Sequence, residues 1–118
     1  MIKFFSNHDD TKELERITGE KVEVISHPYI EPEWTVEDVE EKCGKQIREA
    51  VDAEKLVING DYTLVSMITI KRFLKGKKTG FIGMKKLNKP TNEKDKDGNI
   101  VHKNILKPVN VRWIKGGK

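Results

Sequence analysis

The chain predicts a small α/β domain, with a sheet that is parallel in its core and carries antiparallel strands at its C-terminal side. Three observations predict it. Short β-like runs and amphipathic helical runs alternate along most of the 118 residues. The run Lys55 to Ile58 is continuously apolar and too short for a helix, as expected of a strand covered on both faces. The chain closes on Val109, Val111 and Trp113, which alternate as a final strand. The length suits one domain spanning 1–118.

The elements follow in order. Ile2 to Ser6 reads as the first strand. Asp10 and Glu13 have capping-box spacing, Leu14 and Ile17 face inward, and Gly19 ends the first helix. Lys21 to Ser26 reads as a second strand, followed by a loop with Pro28, Pro32 and Trp34. Thr35 to Ala53 is the clearest helix. Thr35 and Asp38 make a capping box, and Val36, Val39, Cys43, Ile47 and Val51 share one face. Gly44 sits inside this helix at a cost that close packing would justify. After the third strand and the loop Asn59 to Thr63, Leu64 to Leu74 is a helix apolar nearly all round, stopped by Gly76. Thr79 to Met84 is a fourth strand. Residues 85–104 are polar and basic with a turn signal at Asp97-Gly98-Asn99, and read as a hairpin or a long excursion. Gly116-Gly117 reads as a fraying tail.

Composition excludes several classes. No apolar run approaches the roughly 20 residues of a membrane span, and the N-terminal apolar run is too short for a signal peptide. A lone cysteine, Cys43, excludes a disulfide framework and a cysteine-based zinc site, and points to the reducing cytoplasm. No His and carboxylate cluster has metal-ligand spacing, so neither metal nor cofactor is expected. The net charge of +4 conceals an asymmetry. Residues 1–54 hold 7 basic and 15 acidic side chains, a net of −8; residues 55–118 hold 16 and 4, a net of +12. Either the second half meets a polyanion, or the halves complement each other within one chain or across a dimer.

Binding sites in such sheets lie beyond the carboxyl ends of the strands. Three loops qualify: Ser6-Asn7-His8, Asn59 to Thr63, and Met84-Lys85-Lys86. In Asn59-Gly60-Asp61-Tyr62-Thr63, Gly60 lets backbone approach a ligand, and the N–H groups of the next helix suit a phosphate. The competing reading is an ordinary turn with a helix cap, and Asp61 opposes a dianion unless it only caps. Ser6 and His8 have the chemistry to bond phosphate or ribose, and His8 that of an acid–base group; a lone exposed histidine is more often inert. Asp9 and Asp10 are read as helix caps. The lysines from Lys85 to Lys107 either meet phosphates or protect an edge strand from aggregation. The preference for Lys over Arg fits diffuse electrostatics and argues against duplex DNA as a partner. Tyr62 is a candidate to stack on bases, whereas core burial is expected of Phe81 and Trp113.

Three stretches are similar to small CRISPR-associated CARF-like proteins of the ring-nuclease group. They are Phe5-Ser6-Asn7-His8 before a helix containing Thr11, Leu56 to Val65 (LVINGDYTLV), and the ending from Lys85-Lys86 through Glu93, Asp97-Gly98 and Lys103 to Val109–Ile114. The resemblance implies a Rossmann-like homodimer that binds a cyclic oligoadenylate, above all cyclic tetra-adenylate. It implies metal-independent cleavage of that messenger by its own 2′-hydroxyl, which switches off antiviral signalling. Carried over, Ser6, His8 and Lys85 are the catalytic candidates. Asn7, Asn59, Gly60, Asp61, Tyr62, Thr63 and Lys86 are the ligand-binding candidates. The chain departs from the pattern at Met84-Lys85-Lys86 and at Leu106-Lys107-Pro108. The alternative is a protein that sequesters or senses such a signal intact, as a viral anti-defence protein would.

Overall fold

The computed structural model describes residues 1–117. It is an α/β fold, as the alternation predicts, built on a five-stranded sheet. Along the chain come β1 (Ile2–Phe5), α1 (Thr11–Thr18), β2 (Val22–Ile25), α2 (Val36–Lys42), α3 (Gly44–Asp52), β3 (Lys55–Ile58), α4 (Tyr62–Leu74), β4 (Lys78–Lys94) and β5 (Ile100–Ile114). The sheet order is β2-β1-β3-β4-β5. The first four strands run parallel, and β5 returns antiparallel to β4. The chain moves outward from β1 to β2 and then back across to β3. That reversal leaves a crevice at the carboxyl ends of β1 and β3, where an open α/β sheet places ligands.

Each face of the sheet is covered. Ile2, Phe4, Val22 and Val57 pack with Leu14 of α1 on one side. Phe5, Ile25, Leu56 and Ile58 pack on the other against Val39, Ile47, Val51, Leu64 and Ile68 of the remaining helices. Arg72, fully buried at the end of α4, ties this layer together. Its guanidinium donates to the carbonyls of Ala50 (2.9 Å) and Val51 (3.2 Å) and to those of Ala53 and Lys78, while Nε donates to Thr79 Oγ1 (2.9 Å). It therefore supplies donors to the orphan carbonyls at the end of α3.

Local signals explain most boundaries. Gly19 ends α1 at φ 71°, where a side chain would be strained. At α2 the capping box is complete, with Asp38 N–H donating to Thr35 Oγ1 (3.2 Å) and Thr35 N–H to Asp38 Oδ2 (3.0 Å). The proposed box at α1 does not form. Asp10 makes no side-chain cap bond and contributes only its backbone carbonyl to Leu14 N–H.

Four other expectations are corrected. The helix predicted over Thr35 to Ala53 is two helices that bend at Cys43 (φ −109°, ψ 9°), just before the poor helix former Gly44. Gly44 serves no close backbone packing: a Cβ there would meet only the Arg48 guanidinium, at 3.4 Å. The fourth strand does not stop at Met84. It continues to Lys94 because residues 84–90, and again Lys94, pair with β5, so Lys85 and Lys86 lie within a strand and not in a loop. The glycine tail does not fray. Gly117 N–H donates to Phe73 O (3.0 Å), and a Cβ at Gly116 would fall 2.2 Å from the Gly76 backbone.

The β4–β5 hairpin gives the molecule its shape. β3 ends opposite Phe81, and β4 runs on well past it. Asp95 makes the tip: its Oδ1 accepts from Asp97 N–H and Asn99 N–H (both 2.9 Å), with Gly98 at φ 80°. The radius of gyration is 17.2 Å, against about 13.5 Å for a compact chain of this length. The excess is this two-stranded arm standing off the domain.

Candidate functional site

The crevice at the carboxyl ends of β1, β2 and β3 is floored by loops that the sequence brings together in two ways. Asn7, just beyond β1, clamps the loop after β2. Its Nδ2 donates to His27 O (3.1 Å) and its Oδ1 accepts from His27 N–H (3.1 Å). Asn59, just beyond β3, donates its N–H to Phe5 O (3.1 Å) and continues the parallel ladder by one step. The result is an open cleft of about 230 Å³ lined by Asn7, His8, His27, Tyr29, Gly60 and Asp61, with Ile30 at its side. A neighbouring hollow of about 310 Å³ shares Ile30 and Asp61 and extends toward Trp34 and Thr63.

Two histidines face this cleft from different loops. His27 stacks on Phe5, with ring centroids 5.0 Å apart at 17°. Its Nδ1 lies 2.8 Å from Pro28 O. A carbonyl can only accept, so Nδ1 is the donor there, and Nε2 has no hydrogen-bond partner among the described residues. That Nε2 looks toward Gly60: a Cβ at Gly60 would lie 4.0 Å from it. Gly60 holds φ 130°, which only glycine adopts readily. His8 is exposed on the rim, and its backbone N–H donates to Ser6 Oγ (3.0 Å).

The predicted site residues thus divide. Asn7, His8, Gly60 and Asp61 are brought together. Ser6 is fully buried beneath them, its hydroxyl accepting from His8 N–H. It positions the loop and reaches no ligand from there. Asn59 is half-buried and serves through its backbone. Thr63 belongs to the neighbouring hollow, and Tyr62 is 89% exposed on the outer side of α4. Lys85 and Lys86 stand on the arm, where strand alternation sends their side chains to opposite faces, so they do not close together over one phosphate.

Asp61 acts as the cap of α4, accepting through Oδ1 from Thr63 N–H (2.9 Å) and Leu64 N–H (3.2 Å). The helix donors foreseen for a phosphate are therefore already engaged, by a carboxylate. No lysine or arginine lines the cleft among the described residues. Likewise, no three His, Cys, Asp or Glu side chains among them gather as a metal-binding group.

Sequence reasoning missed His27 and Tyr29. The signal was present: Ser26-His27-Pro28 follows β2, and the strand-end rule applies to that strand as to the others. No protein-family model, curated protein or solved structure matches this chain.

Proposed function

We propose that this chain binds a cyclic oligoadenylate over the β1/β3 crevice, as a two-fold homodimer, and opens the ring without metal. The observation that carries the reading is the convergence of Asn7, His8, His27, Tyr29 and Gly60 at the sheet's switch point. Polar tips there suit ribose and base edges, exposed Tyr29 offers an aromatic face for adenine, and Gly60 leaves room beside His27. A two-fold ring of nucleotides suits equivalent clefts facing each other across a dimer axis.

In the cleavage step a ribose 2′-oxygen bonds to the adjacent phosphorus while the bond from phosphorus to the 5′-oxygen breaks. The 2′-hydroxyl proton passes to a base, and the departing 5′-oxygen takes a proton from an acid. His8 and His27 Nε2 are the groups with that chemistry, and Ser6 holds His8 in place; the cation to offset charge on the phosphate is Lys85 of a second copy, because this chain's own Lys85 stands on the arm away from its cleft. One specific observation favours a second reading, sequestration of the intact messenger. The cleft lining holds no lysine or arginine, and Asp61 occupies the helix terminus.

The test is incubation of the purified protein with labelled cyclic tetra-adenylate in chelator. Linear product supports cleavage, intact ligand released only on denaturation supports sequestration, and no retention refutes both. Gly60→Val should abolish binding while the circular dichroism spectrum stays native. The strain of a branched residue at this φ is about 1–3 kcal/mol, which a domain of this size survives. Unchanged affinity removes the loop from the site.

A further inference from the structure

The arm carries a pattern the cleft does not use. On one face of the ribbon, Lys85 sits opposite Lys107 and Lys89 opposite Lys103, with the half-buried pair Leu87 and Ile105 between them. Like charges directly opposite each other in a ladder are unfavourable unless an anionic surface lies on them. On the other face Asn88 donates to Asn104 (3.3 Å) and lies 2.8 Å from His102 Nδ1, so its outer part is bonded within the ribbon. None of the four lysines forms an ion pair among the described residues; Lys107 alone of the four is near enough to Glu13 of α1 to help hold that carboxyl below its ordinary value, after Arg16, which pairs with it. Residues 84–107 hold seven lysines against three carboxylates.

The complementary surface lies on the same chain. Glu31, Glu33, Glu37, Glu40 and Glu41 are exposed along α2 and its approach, and none is in an ion pair. Beside them Val36 is 50% and Tyr62 89% exposed, flanking a groove of about 470 Å³ that Glu40 and Met67 also line. This is an apolar centre with carboxylates at its edge, the counterpart of an apolar pair with lysines at its corners. Strand alternation from Phe81, which packs on the α2–α4 side, puts Lys85, Leu87 and Lys89 on that same side of the sheet, but out past its edge.

We infer that the lysine face of the arm docks on the α2 and Tyr62 face of a second copy of this chain, and that the exchange is mutual. A two-fold axis lying in the plane of the sheet brings each arm under the other chain's helices, which makes the contact isologous and closed. Direct arm-to-arm pairing would oppose two basic ribbons. A nucleic acid backbone would leave Leu87 and Ile105 facing phosphate. The inference holds whether or not the cleft binds nucleotide, and its test contains none.

The full chain in about 0.1 M salt should sediment at twice its 13.6 kDa mass. Lys89→Glu with Lys103→Glu should weaken the dimer by more than about tenfold, as should Glu37→Lys with Glu40→Lys, each variant keeping the native circular dichroism. Mixing the two weakened variants should restore a dimer, because one arm then meets a reversed helix and the other meets the native one. Lys89→Gln with Lys103→Gln should give a smaller loss. A monomeric wild type, a dimer indifferent to either reversal, or no recovery on mixing overturns the inference. So does a monomer that retains RNA through the same lysines.

Discussion

Replacing Arg72 with methionine tests whether one side chain holds the helical layer to the sheet. Burial pushes the guanidinium below its ordinary value, with Glu54 opposing that shift. An arginine starts so high that it stays charged at neutral pH. Methionine fills the volume but donates nothing. The carbonyls of Ala50 and Val51 and the hydroxyl of Thr79 lie in the buried part of this network, while those of Ala53, Glu54 and Lys78 are near enough to the surface for water to replace Arg72. Two or three groups left dry, at about 1–3 kcal/mol each, give a loss of about 3–5 kcal/mol. Against a total of roughly 6–18 kcal/mol for a chain of this length, that is a large fraction. Urea denaturation followed by the fluorescence of Trp34 and Trp113 should show the midpoint falling with an unchanged slope. Arg72→Lys should recover little, because its donors share one nitrogen and cannot span from Ala50 to Thr79. A loss under about 1 kcal/mol for the methionine variant would refute the argument, since it would mean the carbonyls find water without cost.

Two other substitutions or probes follow from the geometry. Asn7→Ala removes both bonds to His27 and should cost about 1–2 kcal/mol. Asn7→Asp keeps the acceptor for His27 N–H and should cost about half as much in the same denaturation experiment. Equal losses would mean that the clamp does not work through that N–H. Cys43 is fully buried, and burial pushes its thiol above the ordinary value. A thiol reagent near neutral pH should therefore modify it on the order of 10³-fold more slowly in the native protein than in urea; prompt native labelling would contradict the packing at the α2–α3 bend.

What the sequence revealed, and what it hid, follows from what buries each residue. The short apolar strands and the capping box at Thr35 were legible because both depend on neighbours within a few positions. The outer half of β4 was not. Strand alternation is a signature of one face meeting a core, and the arm meets none, so Lys85 to Lys94 looked like a loop with scattered lysines. Arg72 was hidden for a different reason. A basic residue in the last turn of a helix is ordinarily a partner for the helix dipole, and nothing local indicates that the end of α3 lies within its reach. In the cleft, Asn7, His8, Gly60 and Asp61 followed from the strand-end rule alone. Ser6 failed as a ligand contact because it still lies under cover at the end of the sheet, its N–H donating to Ile25 O (3.3 Å) and its hydroxyl accepting from His8 N–H, whereas Asn7 lies one residue further out.

The separation of charge in this fold constrains any anionic ligand. The cleft offers two histidines and a carboxylate, while the chain's excess of lysine is carried out past the end of β3 on a ribbon. A hairpin is poorly stable by itself, and this one is anchored at its base, where Lys78 to Phe81 pair with β3, Phe81 packs on the α2–α4 side and Ile82, Val111 and Trp113 pack near α1. Its extension cannot serve the cleft of its own chain by a simple loop closure, because Met84 to Pro90 of β4 are paired residue by residue with β5. Cations for phosphates at the switch point must then come from a second molecule, or the ligand must be held by its bases and sugars. These alternatives differ in salt dependence. Binding through arm lysines loses affinity steeply with ionic strength, in proportion to the phosphates neutralised, whereas binding through stacking and Asn7, His8 and His27 does not.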